Sequence, residues 1–222
     1  MNKVRKYIFY LIGLIAILLL PLTFQGYVKA GAFIDFIVYI DPGHGGKDNG
    51  TSYLSVYEDE INMAVGEKLY EICLKRNLMA YISRTSDYDL ASQYASNRKQ
   101  EDLKNRADAI EHSGCDVFIS IHMNHYASPS VHGPMVYYEK SDDASYRLSL
   151  DVQKELNLLS DNNKSVHSDN FYLFRKCTPP GILVECGFLS NDEERGKLLD
   201  PKYQEAISEA IYQGIYQFYL GN

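Results

Sequence analysis

The sequence has no excess of basic residues, no repeat and no low-complexity segment, and each absence removes a class of protein. The formal net charge is −7, and an acidic chain lacks the basic face that sequence-independent binding to nucleic acid requires. Charged residues make up 23% of the chain and hydrophobic residues 45%, which excludes a disordered chain and a coiled coil. We therefore expect a globular protein with no nucleic-acid partner.

The chain also lacks closely spaced cysteines. Its four cysteines, Cys73, Cys115, Cys177 and Cys186, are far apart and form no Cys-x-x-Cys pair, so the pattern does not indicate a zinc site made of thiolates. Disulfides are possible in an exported protein. However, Cys73 falls in an apolar helical stripe and Cys115 lies just before a predicted strand, so we favour buried free thiols.

One long apolar run is present, at the N terminus. Three basic residues precede an uncharged run over residues 7–20, which Pro21 ends. This order is typical of a signal peptide, and Ala30 supplies a candidate cleavage site. Counted through Phe24 the run reaches 18 residues, just long enough for a membrane span. We predict that residues 1–30 are a signal peptide or an N-terminal membrane anchor, and that the remainder, with a net charge of −11, is exported.

From residue 31 to 222, predicted strands and helices alternate, and the length suits one domain. The strands are predicted at residues 33–40, 78–83, 116–121, 135–138, 171–174 and 182–184, and the helices at 58–76, 101–111, 144–158 and 204–219. This alternation predicts an α/β domain with a mostly parallel, twisted sheet of about six strands and helices on both faces. In such sheets, ligands bind beyond the carboxyl ends of the strands.

A glycine-rich loop, residues 41–46, follows the first predicted strand, but its spacing does not fit phosphate binding. A Walker loop needs a longer gap between its glycines, and a dinucleotide fingerprint needs a third glycine where this chain has Asp48. A carboxylate at that position would repel a pyrophosphate. A metal ligand is the better interpretation of the histidine in this loop, His44.

Two further side chains fall at comparable positions. His122 ends the predicted strand 116–121, and Glu58 opens the helix after the glycine-rich loop. Together with His44 they make two imidazoles and one carboxylate, the ligand set of catalytic zinc sites that leave a fourth position for water. A single histidine is more often a surface or core residue. That is how we interpret His112, His125, His132 and His167, of which His125 and His132 could flank the cleft.

Glu185 follows the apolar run 182–184 directly. A carboxylate at such a position is costly to bury unless it has a partner or a function. The residues leave two interpretations open: a structural salt bridge, or a general base and acid beside a metal site.

From about Ile37 to Tyr219, the chain resembles the zinc-dependent N-acetylmuramoyl-L-alanine amidases often called amidase type 3. The resemblance rests on six blocks that stand in the family's order: residues 40–46, 58–62, 83–84, 103–106, 118–124 and 184–191. It implies that His44, Glu58 and His122 hold one Zn²⁺ ion, that Glu185 is the catalytic residue, and that Asn124 contacts substrate. The family usually has Glu-Lys-Asp where this chain has Glu58-Asp59-Glu60, which leaves the metal affinity open.

The resemblance implies hydrolysis of the amide between the lactyl group of N-acetylmuramic acid and the L-alanine of the peptidoglycan stem peptide. The short layout and the stretches 87–90 and 98–106 look like the sporulation amidases that prepare the spore cortex for muramic-δ-lactam formation. Such an enzyme would lie in the forespore intermembrane space, outside the cytoplasmic membrane, and an accessory protein is possible. The residues alone also allow a zinc peptidase that cuts within the stem, or a non-catalytic peptidoglycan-binding module.

Overall fold

The computed structural model describes residues 35–221, which contain eight strands and six helices. The strands are β1 Ile37–Pro42, β2 Ser52–Tyr53, β3 Val56–Tyr57, β4 Met79–Ile82, β5 Val117–Asn124, β6 Met135–Tyr138, β7 His167–Ser168 and β8 Gly181–Phe188. The helices are α1 Glu58–Lys75, α2 Arg98–Ser113, α3 Asp143–Leu156, α4 Tyr172–Lys176, α5 Asp192–Leu198 and α6 Pro201–Leu220, with a 3₁₀ turn at Asn157–Leu159.

Six strands form one sheet in the order β4-β1-β5-β8-β6-β7. The first four run parallel, β6 runs antiparallel to β8, and β7 runs parallel to β6. The strands β2 and β3 form a separate hairpin between β1 and α1. The mostly parallel sheet confirms the predicted fold class, and it brings the carboxyl ends of β1, β5 and β8 to one edge.

Helices cover both faces of the sheet, as the predicted α/β fold requires. α1 contacts β1, β4 and β5, α3 contacts β6 and β8, and both pack against α6. On the opposite face, α2 and α4 enclose a core cluster that includes Tyr39, Phe118 and Leu183. Because side chains alternate along a strand, the neighbouring Val38 and Ile119, which are fully buried, point to the α1 side.

Two predicted elements differ in the structure. The predicted strand at residues 171–174 is wrong, since these residues lead into helix α4, where Leu173 and Phe174 pack into the core. A short apolar run does not distinguish a strand from a buried helical turn. The predicted strand 182–184 is longer than expected, so Glu185 lies within β8 rather than after it. The strands β2, β3 and β7 and the helix α5 were not predicted.

All four cysteines are free thiols, with Cys73, Cys115 and Cys186 buried and Cys177 half-buried. None of the helices within residues 35–221 combines the length and the hydrophobicity of a membrane span. The predicted signal peptide or anchor, residues 1–30, lies outside the described residues.

Candidate metal centre

His44 lies in the tight loop that follows β1. Its φ is +61°, and the next two residues, Gly45 and Gly46, also have positive φ. The turn closes through Gly45 N–H, which donates to the carbonyl of Asp48 at 2.8 Å. The Asp48 carboxylate lies 3.0 Å from His44 Nδ1. A carboxylate that holds one ring nitrogen fixes the orientation of the ring, as it does for metal-binding histidines, and it leaves Nε2 facing the site.

Glu58, the first residue of α1, is buried, with 3% of its surface exposed. Its Oε2 accepts a hydrogen bond from Thr51 N–H at 2.7 Å. Its Oε1 accepts one from Met123 N–H at 3.1 Å and lies 3.3 Å from Asn62 Nδ2. These backbone and amide donors hold the carboxylate in one orientation, directed at the carboxyl ends of β1 and β5.

The two histidines converge on this carboxylate. Glu58 Oε1 lies 3.4 Å from His44 Nε2 and 2.8 Å from His122 Nδ1. One ligand atom from each residue lies within 4.8 Å of the others, and no other group of three or more possible metal ligands occurs among the residues described. Two ring nitrogens and a carboxylate oxygen at this separation fit the donor set of a catalytic zinc site, so the three predicted ligands do come together.

The charges of the three groups are coupled. Burial raises the pKa of Glu58, but hydrogen bonds from His122 and His44 outweigh burial and hold the pKa well below its usual value. Burial lowers the pKa of His44, but its contacts with Glu58 and Asp48 raise the pKa to about 9. The site therefore holds a carboxylate charge that attracts cations.

Glu185 lies beside this cluster. The register of β5 and β8 pairs Glu185 with His122, and paired residues on neighbouring strands project from the same face. Glu185 Oε2 is buried and has no hydrogen-bond partner among residues 35–221. Burial, together with the Glu58 carboxylate, raises the pKa of Glu185 to about 8. Of the two interpretations from sequence, a structural salt bridge is wrong, because no cation within the described residues pairs with this carboxylate.

Asn124, the predicted substrate contact, lies two residues after His122 at the end of β5. The register shifts between these residues, so Asn124 pairs with Phe188. Its Oδ1 accepts a hydrogen bond from His125 N–H at 2.8 Å. Asn124 therefore lies at the same sheet edge as the metal centre, with its role in binding still a prediction.

Two buried arginines that the sequence did not single out hold the His44 loop. Arg106, 2% exposed, binds Asp41 at 2.7 Å and Asp102 at 2.8 Å and donates to the carbonyls of Pro42 and His44 at 2.9 and 2.6 Å. Arg84, 1% exposed, donates to the carbonyls of Pro42, Gly43 and Asp59. Both arginines fall in blocks of the family resemblance, which was the only signal for them.

The remaining predicted site features lie apart from the three ligands. His112, His125 and His167 are exposed and His132 is half-buried. The ring of His125 lies 5.8 Å from that of Tyr53 in the β2–β3 hairpin. Of the two acids that depart from the family's usual block, Glu60 is exposed, whereas Asp59 is buried and burial raises its pKa.

The fold and the site define a class of protein: a single α/β domain with a His-Glu-His cluster that could hold a metal ion and a carboxylate with a buried, unpartnered oxygen at the carboxyl edge of its sheet. A family model described as N-acetylmuramoyl-L-alanine amidase matches residues 38–217. The chain belongs to this family, and its activity is that of an N-acetylmuramoyl-L-alanine amidase acting on peptidoglycan.

Individual relatives agree. The germination-specific N-acetylmuramoyl-L-alanine amidase of Bacillus subtilis is 34% identical over 188 residues, covering 82% of this chain and 79% of that protein. The amidase CwlD of Clostridioides difficile, solved in complex with the lipoprotein GerS, is 34% identical with a TM-score of 0.82, covering 85% of this chain and 100% of that one. The Bacillus subtilis amidase LytC is 28% identical, covering 82% of this chain but 35% of its own length.

Proposed function

We propose that this amidase depends on one zinc ion, held by His44, Glu58 and His122, and that Glu185 transfers the protons of the reaction. The observation that carries the proposal is the convergence of the three ligand atoms within 4.8 Å. When bound, zinc supplies a Lewis acid at the amide carbonyl and lowers the pKa of water.

Glu185 suits proton transfer by its position and by its pKa. Its unpartnered Oε2 adjoins the ligand cluster, so it can accept a proton from the attacking water and then donate it to the departing alanine amine. A pKa of about 8 lies near neutrality, where one group serves as both base and acid. Asp48 keeps the His44 ring in place through its contact with Nδ1 at 3.0 Å, and Asn124 contacts the substrate at the end of β5.

The bond cut is the amide between the lactyl group of N-acetylmuramic acid and the L-alanine of the stem peptide. Digestion of peptidoglycan with the full chain, followed by mass spectrometry, tests this directly. An amidase releases complete stem peptides and leaves glycan with free lactyl carboxylates. A zinc peptidase leaves alanine on the muramic acid, and a binding module releases nothing. Either of these two results would overturn the proposal.

We also propose that the enzyme acts on the spore cortex, as the first step toward muramic-δ-lactam, from the forespore intermembrane space outside the cytoplasmic membrane. The germination-specific relative supports this role, and CwlD, solved in complex with a lipoprotein, supports the binding of an accessory protein. Residues 1–30 would direct export, either as a cleaved signal or as an anchor. Spores from a deletion strain should then contain cortex without muramic lactam, and a normal lactam content would contradict the role.

A further inference from the structure

A small recess adjoins the metal centre on the face of the sheet that α2 and α4 cover. Its volume is about 50 Å³. Two metal-ligand candidates, His44 and His122, form one part of its wall, and Leu103 of α2, Leu173 of α4 and Lys99 of α2 form another part. The recess therefore connects the two proposed histidine ligands with two cationic side chains, Lys99 and the buried Arg106.

The other charged groups that line this recess already have partners. Asp41 and Asp102 both bind Arg106, at 2.7 and 2.8 Å. The carboxylate of Asp48 binds His44 Nδ1 at 3.0 Å and accepts from Gly50 N–H at 3.1 Å. These bonds satisfy the acids of the recess without Lys99.

Lys99 differs from these groups in being exposed to solvent, whereas Asp41, Asp102 and Arg106 are buried. Within the described residues it forms no ion pair at 4.0 Å or less, and it acts on Asp48 only from a longer distance, where its charge helps to lower the pKa of that carboxyl. Lys99 lies in the first turn of α2, where the helix dipole disfavours a positive charge. Its neighbour Arg98 offsets this cost by binding Asp89 at 2.6 Å, whereas Lys99 has no such partner.

We propose that Lys99 binds a carboxylate of the stem peptide, on the residue that follows the alanine. This rests on the proposed function, because it takes the scissile amide to lie at the ligand cluster. Lys99 lines the same recess as His44 and His122, and consecutive Cα atoms are 3.8 Å apart, so the residue after the alanine is the next residue that a lysine at this wall could meet. The peptide then lies on the α2–α4 side of the sheet edge, and Lys99 selects acidic peptides.

Two peptidoglycan fragments that differ in one group test the proposal. In one, the residue after alanine carries a free α-carboxylate, and in the other this group is a neutral amide. With the zinc-loaded full chain, Lys99→Ala should lower kcat/KM for the acidic fragment about fivefold, the size of a partly exposed ion pair, and leave the amidated fragment unchanged. Lys99→Glu should lower kcat/KM for the acidic fragment further. Lys104→Ala, on the same helix but paired with Asp108 at 2.9 Å, should change neither value.

Equal losses on both fragments, or no loss on either, would overturn the assignment of Lys99 while leaving the amidase function intact. If the wild-type protein cleaves neither fragment, the proposed function fails instead. In that case calorimetry compares the affinities of the protein for the two fragments. Tighter binding of the acidic fragment, lost in Lys99→Ala, supports the assignment of Lys99. Equal binding of the two fragments refutes it.

Discussion

His122 and Glu185 are direct partners in the parallel register of β5 and β8. This pairing places a metal-ligand candidate and an unpartnered carboxylate on the same face of adjacent strands. The register shifts immediately afterwards, between His122 and Asn124, so the regular sheet ends at the site. The geometry at this edge leads to four predictions about metal binding and stability.

The first prediction concerns Gly43. A Cβ atom at this position would lie 2.3 Å from His122 Cε1 and 2.4 Å from Nε2, closer than the two atoms can approach. Gly43→Ala should therefore displace the His122 ring and weaken zinc binding at least tenfold, without removing a ligand. Zinc titration by calorimetry measures the change.

Gly196→Ala is the matched control, since its Cβ would meet nothing within 4 Å and alanine is favoured within a helix. It should bind zinc as the wild-type protein does. Unchanged zinc affinity in Gly43→Ala would show that the His122 ring does not contribute to the metal site.

The second prediction concerns Arg106. Its removal leaves the carboxylates of Asp41 and Asp102 buried without a cation, a change that costs about 3 to 5 kcal/mol. Arg106→Met should lower Tm by about 10 °C, given about 2 to 4 °C per kcal/mol in a protein of this size. Arg76→Met removes a partly exposed pair with Glu209 and should lower Tm by about 3 °C or less. Similar Tm values for the two variants would contradict the role given to the buried arginine.

The third prediction concerns the stability of the metal-free protein. The pKa of Glu185 rises from 4.5 to about 8 on folding, so the folded state binds this proton more tightly than the unfolded state. The resulting loss of stability is absent below pH 4.5 and grows as the pH rises toward 8. With chelator present, Glu185→Gln should therefore raise Tm at pH 8 by about 2 to 4 °C or more, and have little effect at pH 4.5. A lower Tm for this variant at pH 8 would contradict the burial of an unpaired charge.

The fourth prediction concerns zinc itself. A ligand that binds only the folded state at one hundred times its Kd stabilises the protein by about 2.7 kcal/mol, so saturating zinc should raise Tm by several degrees. Because a proton must leave His44, whose pKa is about 9, the apparent affinity should rise between pH 7 and pH 9. His122→Ala should abolish the rise in Tm. His112→Ala, at an exposed position, should retain the rise, and a rise that His122→Ala also retains would show that zinc binds elsewhere.

The sequence predicted the candidate metal centre because the three residues stand where buried strands or helices begin and end. His44 follows an apolar strand, Glu58 opens a helix, and His122 lies near the end of another strand. In a parallel sheet these ends share one edge, so spacing along the chain predicted proximity in space. The cost of burying a carboxylate singled out Glu185 but left its role open, and the family resemblance alone predicted a catalytic role. The structure places Glu185 within β8 rather than after it.

The supporting residues were not predictable in the same way. Arg84 lies in a polar stretch and Arg106 on a helix, positions where an arginine is normally solvated. Their burial depends on carbonyls from the distant His44 loop, and no local periodicity encodes such contacts. The segment that contains Leu173 was assigned to the wrong element because its few apolar residues suit either a strand or a helical turn.

Zinc content and cleavage, measured in the wild-type full chain and in Glu185→Gln, test whether a bound zinc ion and Glu185 together carry out the hydrolysis. We expect one zinc per chain in both proteins. We also expect the zinc-loaded wild-type protein to release stem peptides, with a rate at least about a hundredfold lower in the variant and none after removal of zinc. Cleavage by the metal-free protein, or undiminished cleavage by Glu185→Gln, would refute this mechanism.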